Sequence, residues 1–357
     1  MSEHDLAVDR SLLGSFTGVV SRGDSEHVSG VARMDLASHR ALFGRRHSSQ
    51  GARGVALIDE LASVALTGRG GGHFPAAVKW RSVAAAGEDE VSLRVVLAPD
   101  RYLSGEATSI IRTIEGGPTL PKFVQNPAQP WSDGGRPILV NNTETMARAG
   151  LVALLGASHY VPTSLLTVIS RGHRSVVEVD EGHTFGSVIA SHWSDYASGE
   201  PQAVLLGGYG GSWASWADIR NLRVSSAALK PAGLSIGAGL VGPLPTTACG
   251  IEESTRLVNY LAGQSARQCG PCVFGLADVA KLCDDLTAGA LTSAGRKRLV
   301  RFMDEIAGRG ACRHPDGAIR MVTSALQVFG ADVSQHRRGR TCNAKVFGVM
   351  PLPGEQS

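Results

Sequence analysis

Cys269 and Cys272 flank a Gly-Pro pair in the stretch SARQCGPCVFG, residues 265–275. Sulfur at this spacing has three uses: a dithiol that cycles with its disulfide, a pair of ligands for zinc or an iron–sulfur cluster, or plain packing. The dithiol use needs a strand that leads into a helix within a compact βαβ unit. Here the preceding segment, ESTRLVNYLAG, carries the apolar stripe of a helix, and no βαβ pattern surrounds it. The metal use looks for further sulfur, and Cys312 supplies it in GRGACRHPDGA, a Gly-rich turn after another amphipathic segment. A loop there can fold back over the tip of the first helix pair. Three thiolates from two interhelical loops can hold iron–sulfur chemistry, and His314 could complete a zinc site. Cys283 stands on a helix among Leu276, Val279, Ala280 and Leu282 and reads as a small buried hydrophobe. Cys249 and Cys342 have no partner at ligand spacing.

A second stretch, GRGGGHFP, holds glycines that let the backbone approach a ligand closely, followed by Pro75 at a helix start. Backbone N–H groups at such a start suit a phosphate, and Lys79 one turn inside adds positive charge. A tight turn before a helix is the plainer alternative.

The elements that must position these groups follow from periodicity. GVALIDELASVAL has helical spacing, LRVVLA reads as β, a helix is expected near 105–115, and a Pro/Gly-rich connection covers 116–137. LLTVISR, SVVEVD and AVLLGG read as short strands, with one helix near TFGSVIASHW. From 252 onward four amphipathic segments in a row predict a bundle. The boundaries expected are a lead-in at 1–50, an α/β domain at 51–162, a small β-rich domain at 163–250, a helical domain at 251–340 and a tail at 341–357.

Composition narrows the class. The chain has 357 residues, 43% hydrophobic and 19% charged, with 44 glycines and a net charge of +3. That is ordinary for a globular protein, and the charge falls far short of a nucleic-acid-binding face. HRRGR (336–340) and GRRH (44–47) are the only local basic runs and read chiefly as solvated surface, the first with a docking role as the alternative. The N-terminus lacks the apolar run of a signal peptide, and GLVALLGASHYVPTSLLTVIS is too broken to span a membrane. A cytoplasmic location is expected, and six cysteines there argue for thiols or metal ligands over disulfides.

The order of motifs resembles the flavin-binding, NADH-oxidising subunit of respiratory complex I and its relatives in NAD-linked hydrogenases and formate dehydrogenases, over about residues 55–335. LTGRGGGHFPAAVKW resembles that family's flavin glycine loop, and YLSGEATSIIRTIEG and LVNNTETMARAG its next two flavin motifs. GGYGGSW and LSIGAGLVG resemble its β-grasp linker, and YLAGQSARQCGPCVFG with GACRHPDG its [4Fe–4S] region. The resemblance implies an α/β protein with a reduced flavin-binding domain, a small β-grasp-like linker and a C-terminal four-helix iron–sulfur bundle. It implies FMN contacts at Gly68, Gly70, Gly71, Phe74, Lys79, Tyr102, Gly105, Glu106, Asn141, Asn142 and Thr143. Cys269, Cys272 and Cys312 would be the cluster ligands.

Three departures limit what carries over. Only residues 81–101 separate Trp80 from Tyr102, where the family has a longer segment that contacts flavin and NADH. The family's paired glutamates become Glu106-Ala107, and Ala266 stands where the family's cluster loop has its first cysteine. The first two argue against direct NADH oxidation and NAD binding. The third leaves a [3Fe–4S] cluster, or a [4Fe–4S] cluster with water or Ser265 as its non-cysteine ligand. The expected role is electron transfer between a flavin or redox partner, ferredoxin-like or membrane-bound, and the cluster. The alternative is a scaffold or assembly subunit that kept the fold and lost its cofactors.

Overall fold

β-Branched and apolar residues crowd TSLLTVIS, and this run forms the strand β3 (Thr163–Ser170), paired along its full length with β4 (His173–Asp180). The structure, a computed structural model, describes residues 54–69, 74–84, 96–124, 131–133, 136–170, 173–338, 342 and 344–353. Gly70, Gly71 and the lead-in at 1–50 lie outside these. The described chain is mixed α/β. Its main sheet also contains β5 (Ala203–Leu206), β6 (Ser212–Ser215) and β7 (Leu240–Leu244), in the order β4-β3-β7-β5-β6. β3 and β7 run parallel and the other pairs antiparallel.

Period-two alternation decides what each face of the sheet covers. Val204 and Leu206 join Leu166, Val168, Val177 and Val179 against α5 (Phe185–His192), whose Phe185, Val188 and Ile189 are fully buried. Ala203 and Leu205 point the other way, into a second cluster shared with the helices that follow. A third, smaller cluster joins α1 (Gly54–Ser63), α2 (Ala76–Ala84) and α4 (Thr143–Leu155) through Ile58, Leu61, Ala76, Ala149 and Val152. Between α2 and α4 lie α3 (Ala107–Ile114) and a small hairpin of β1 (Trp131–Asp133) with β2 (Arg136–Ile138). The hairpin falls in a stretch read as an irregular connection. Conversely, the described part of LRVVLA, residues 96–98, forms no strand, and Leu97 is exposed.

The C-terminal region is helical: α6 (Gly250–Gly263), a π-helical turn (Pro271–Leu276) running into α7 (Ala277–Thr287), α8 (Ser293–Ile306), α9 (His314–Val328) and α10 (Gly330–His336). The segment expected as one last helix breaks at Phe329, whose ring lies where a side chain on Gly250 would be. Residues 349–352, placed in the tail, are not loose. Val349, Met350 and Leu352 are buried, and the backbone N–H groups of Val349 and Met350 donate to buried Glu253 at 3.2 and 2.7 Å. Among the described residues no helix is long and apolar enough to cross a membrane.

Sheet and bundle meet backbone to backbone. A Cβ on Gly317 of α9 would sit 3.2 Å from the Gly210 carbonyl oxygen, which also accepts from Arg320 Nη2 at 2.8 Å. Trp213 N–H donates to Ser324 Oγ at 2.9 Å two turns further along α9. Gly317→Val should therefore push the 207–211 loop off α9. A loss of about 1–3 kcal/mol is expected in urea unfolding, against little change for Gly330→Ala, where a Cβ meets nothing within 4 Å.

Candidate functional site

Two turns bring three thiols together. After α6 the chain bends through Arg267, which holds a left-handed φ of 51° while its N–H donates to Ser265 Oγ at 3.0 Å. The N–H groups of Cys272 and Val273 then both donate to the Cys269 carbonyl, at 3.1 and 3.0 Å. This turn places the Cys269 and Cys272 thiols within hydrogen-bonding reach of one another. The second turn precedes α9: Gly308 adopts φ 72° and its N–H donates to Asp316 Oδ1 at 2.7 Å. Gly310 packs against Pro315 and the Cys312 carbonyl with no room for a side chain. Cys312 lies close enough to Cys269 and Cys272 for their charges to interact.

Burial pushes the Cys272 thiol up to about 11; like charge from Cys269 and Cys312 adds to this, and a hydrogen bond from Ser265 opposes it. Burial also raises Cys312, where the Glu106 carboxylate and Cys269 reinforce the shift and the His314 backbone N–H opposes it. Both thiols are therefore protonated at neutral pH, so a metal must displace their protons to bind. Among the described residues, the one group of Cys, His and carboxylate atoms lying within 4.8 Å of each other is elsewhere. Cys269, Cys272 and Cys312 lie near enough for their charges to interact, and thiolates are the ligands that iron–sulfur clusters use. With Ser265 Oγ beside Cys272, the donor set fits three-thiolate cluster chemistry.

His314 does not add a free Nε2 to this set. Its Nε2 lies 2.8 Å from the Leu261 carbonyl, so that nitrogen carries the proton, and burial holds the imidazole neutral. Its Nδ1 is buried without a hydrogen-bond partner. The ring packs edge-on against Tyr102 at 5.4 Å, and Tyr102 packs likewise against Tyr260 at 6.0 Å. Beside the thiol turns opens a cleft of about 390 Å³, lined in part by Arg112, Lys122, Phe123, Gln268 and Ala311. Gln268 and Ala311 each directly precede one of the cysteines, Cys269 and Cys312.

The residues matched to flavin motifs fall into two groups. Gly68 N–H donates to the Phe74 carbonyl at 2.8 Å and Thr67 bridges Pro75, so the two ends of the glycine loop are closed. Arg69 N–H donates to Thr145 Oγ1 at 2.9 Å, seating the loop on the start of α4, where Asn142 is the N-cap and Thr143 the first helical residue. Lys79 Nζ donates to the Val140 carbonyl at 2.8 Å, next to Asn141. Phe74 is about half exposed. Tyr102, Gly105 and Glu106 instead stand by the thiols, and Glu106 uses its carboxylate to cap α3, accepting from Thr108 and Ser109 N–H at 2.9 and 3.0 Å. Among the described residues no hydrogen bond or ion pair joins the two groups.

Sequence reasoning missed a buried charge network under the glycine loop. Arg148 pairs with Glu144 at 2.7 Å and Glu178 at 3.7 Å, while Arg69 reaches Glu144 at 3.9 Å and Ser164 Oγ at 3.3 Å. It links α4 to β3 and β4, and only the Glu144–Arg148 pair, four apart on a helix, had a sequence signal. It also missed that Cys249, His336 and Cys342 converge, and that His336, placed in a surface basic run, is only 1% exposed.

Comparison with known proteins places the chain among relatives of known fold. Residues 252–336 match the family described as the NADH-ubiquinone oxidoreductase-F iron-sulfur binding region. The F 2 subunit of the NADH-quinone oxidoreductase of Rhizobium meliloti is 24% identical over 253 residues, covering 68% of this chain and 59% of its own length. The HndC subunit of the NADP-reducing hydrogenase of Solidesulfovibrio fructosivorans is 23% identical, over 70% of this chain and 53% of its own. An NAD+-reducing [NiFe]-hydrogenase chain superposes with a TM-score of 0.70 at 18% identity, over 81% of this chain and 64% of that one. The chain is thus a relative of the F subunits of NADH-quinone oxidoreductases, spanning a little over half the length of the curated relatives it matches.

The raised Cys272 thiol makes the metal-free protein sensitive to alkali. Its folded value lies above the unfolded one, so its contribution is complete below the ordinary thiol value of 9.0 and is lost as pH rises through about 11. Urea midpoints of metal-free protein should fall across that window, and fall less in Cys272→Ala.

Proposed function

We propose that this chain is an electron-transfer subunit that holds an iron–sulfur cluster through Cys269, Cys272 and Cys312. The observation that carries the reading is the convergence of these three thiols from two turns, inside the region that matches the iron–sulfur family. The cluster, as [3Fe–4S] or as [4Fe–4S] with Ser265 or water on the fourth iron, would supply one-electron chemistry. The protein's own residues set its surroundings. Tyr102 and the neutral His314 form an aromatic wall beside Cys312, and the Glu106 carboxylate places negative charge near the same sulfur. That charge disfavours added electrons and lowers the potential.

The layout proposed is a reduced flavin-type domain over 51–162, a β-grasp-like domain over 163–250, a cluster domain over 251–340 and a C-terminal segment at 341–357. The sheet order, with its parallel β3-β7 pair in the centre and α5 across one face, supports the second of these. FMN phosphate would lie against Gly68, Gly70, Gly71 and Lys79 with Asn141–Thr143, and Phe74 would edge the ring. Glu106 is committed to its helix cap, and this argues further against a nicotinamide beside it. The exchange partner would be a redox protein, ferredoxin-like or a membrane-bound oxidoreductase subunit, approaching through the cleft lined by Arg112 and Lys122. The names of the relatives, which are subunits of quinone-linked oxidoreductases and a hydrogenase, support such a partner.

A scaffold that lost its cofactors is the second reading, favoured by Ala266 at the missing ligand position. Iron and sulfide analysis with EPR on anaerobically isolated protein separates the two. About three or four irons per chain are expected, with most of that iron lost in Cys312→Ala; an iron-free chain after anaerobic reconstitution would establish the scaffold. Restoring the sulfur with Ala266→Cys should bring iron to about four per chain and change any [3Fe–4S] EPR signal to that of [4Fe–4S].

A further inference from the structure

Cys249, His336 and Cys342 are far apart in sequence, yet their ligand atoms all lie within 4.8 Å of one another. Cys249 directly precedes α6, His336 ends α10, and Cys342 begins the strap that returns across the sheet–bundle junction. Cys249 Sγ is 3.3 Å from His336 Nε2, and the two thiols are within hydrogen-bonding reach of each other. Cys249 and His336 are buried and Cys342 half-buried.

The second contact of the histidine fixes its chemistry. His336 Nδ1 lies 2.9 Å from the Thr287 carbonyl, which can only accept, so Nδ1 carries the proton. Nε2 then presents its lone pair to the two sulfurs. An imidazole oriented through one nitrogen by a backbone carbonyl and facing thiols with the other is the arrangement a metal-ligating histidine uses. Glu252, in the first turn of α6, adds a carboxylate: Oε1 lies 3.2 Å from Cys342 Sγ, while Oε2 is buried with no hydrogen-bond partner. Two sulfurs and one nitrogen form a donor set of the zinc type, and the carboxylate stands at its edge beside Cys342.

We propose that Cys249, His336 and Cys342, with the Glu252 carboxylate beside them, bind a single zinc-class divalent ion separate from the cluster thiols. Cys249 and Cys342 lie outside the matched family region of 252–336, so that match does not account for them. The adjacent backbone makes the role structural. Lys345 N–H donates to the Thr247 carbonyl at 2.8 Å, and Val346 bridges Ala248. The ion ties the strap to the start of α6 and the end of α10, where the polypeptide leaves the sheet for the bundle. Binding releases the two thiol protons and involves no redox change.

The test is metal analysis on the full-length chain together with thiol footprinting. Wild type incubated with zinc under reducing conditions should retain about one zinc per chain at this site. Cys249→Ser and His336→Gln should lose it and keep their iron, whereas Cys272→Ser should lose iron and keep zinc. If those variants fail to fold by circular dichroism, wild type still decides the matter, because zinc should slow alkylation of Cys342, read by mass spectrometry, at least tenfold. Zinc that persists in Cys249→Ser, zinc lost with Cys272→Ser, unchanged alkylation, or a Cys249–Cys342 disulfide in the native protein would each overturn the proposal.

Discussion

Backbone contact between Gly210 and Gly317 sets the position of almost everything else. The 207–211 loop and α9 approach until a Cβ on Gly317 would sit 3.2 Å from the Gly210 carbonyl oxygen, and that closeness puts Arg320, Tyr102 and His314 within reach of the sheet and one another. Cys312 lies just before α9, so the same contact fixes where the third thiol stands relative to the first two. Apolar burial alone would not specify this docking to within a turn. Glycine on both sides does, because any rotation of α9 brings a residue with a Cβ into the gap.

At the β3–β4 edge of the sheet a different force operates. Arg69, Arg148, Glu144 and Glu178 form a buried network in which burial raises Glu178 while Arg148 and the Thr163 hydroxyl oppose that shift. Such networks are costly to desolvate and give little net stability. What they give is orientation: the guanidinium fork of Arg148 can satisfy α4 and β4 together in one register. Arg69 joins that register through Glu144 and Ser164.

Much of the fold was legible in sequence because it follows local periodicity. Strands such as TSLLTVIS and AVLLGG, and the stripes of the C-terminal helices, announce their buried faces directly. The grouping of Cys269, Cys272 and Cys312 was legible because two share one turn and the third sits in a recognisable Gly-rich loop. What escaped has no local signature. Cys249, His336 and Cys342 meet only after the bundle closes, and the break at Phe329 follows from a ring lodging over Gly250, a contact between residues 79 positions apart in sequence. Glu106 differs: the resemblance implies a flavin contact, whereas the structure uses its carboxylate as the N-cap of α3 and also places it near Cys312.

The π-helical turn from Pro271 to Leu276 has an architectural consequence. Such a turn accommodates one residue more than an α turn, and that surplus lets Cys272 face its neighbouring sulfurs while Leu276 and Val279 still face the core. Removing a single residue there would restore regular winding and take away the surplus that lets Cys272 and Leu276 keep their present facings. The segment is thus governed by its length: exchanges of exposed side chains such as Phe274 leave the geometry intact, whereas a shift of the reading register along the helix separates the sulfurs from the core that carries them.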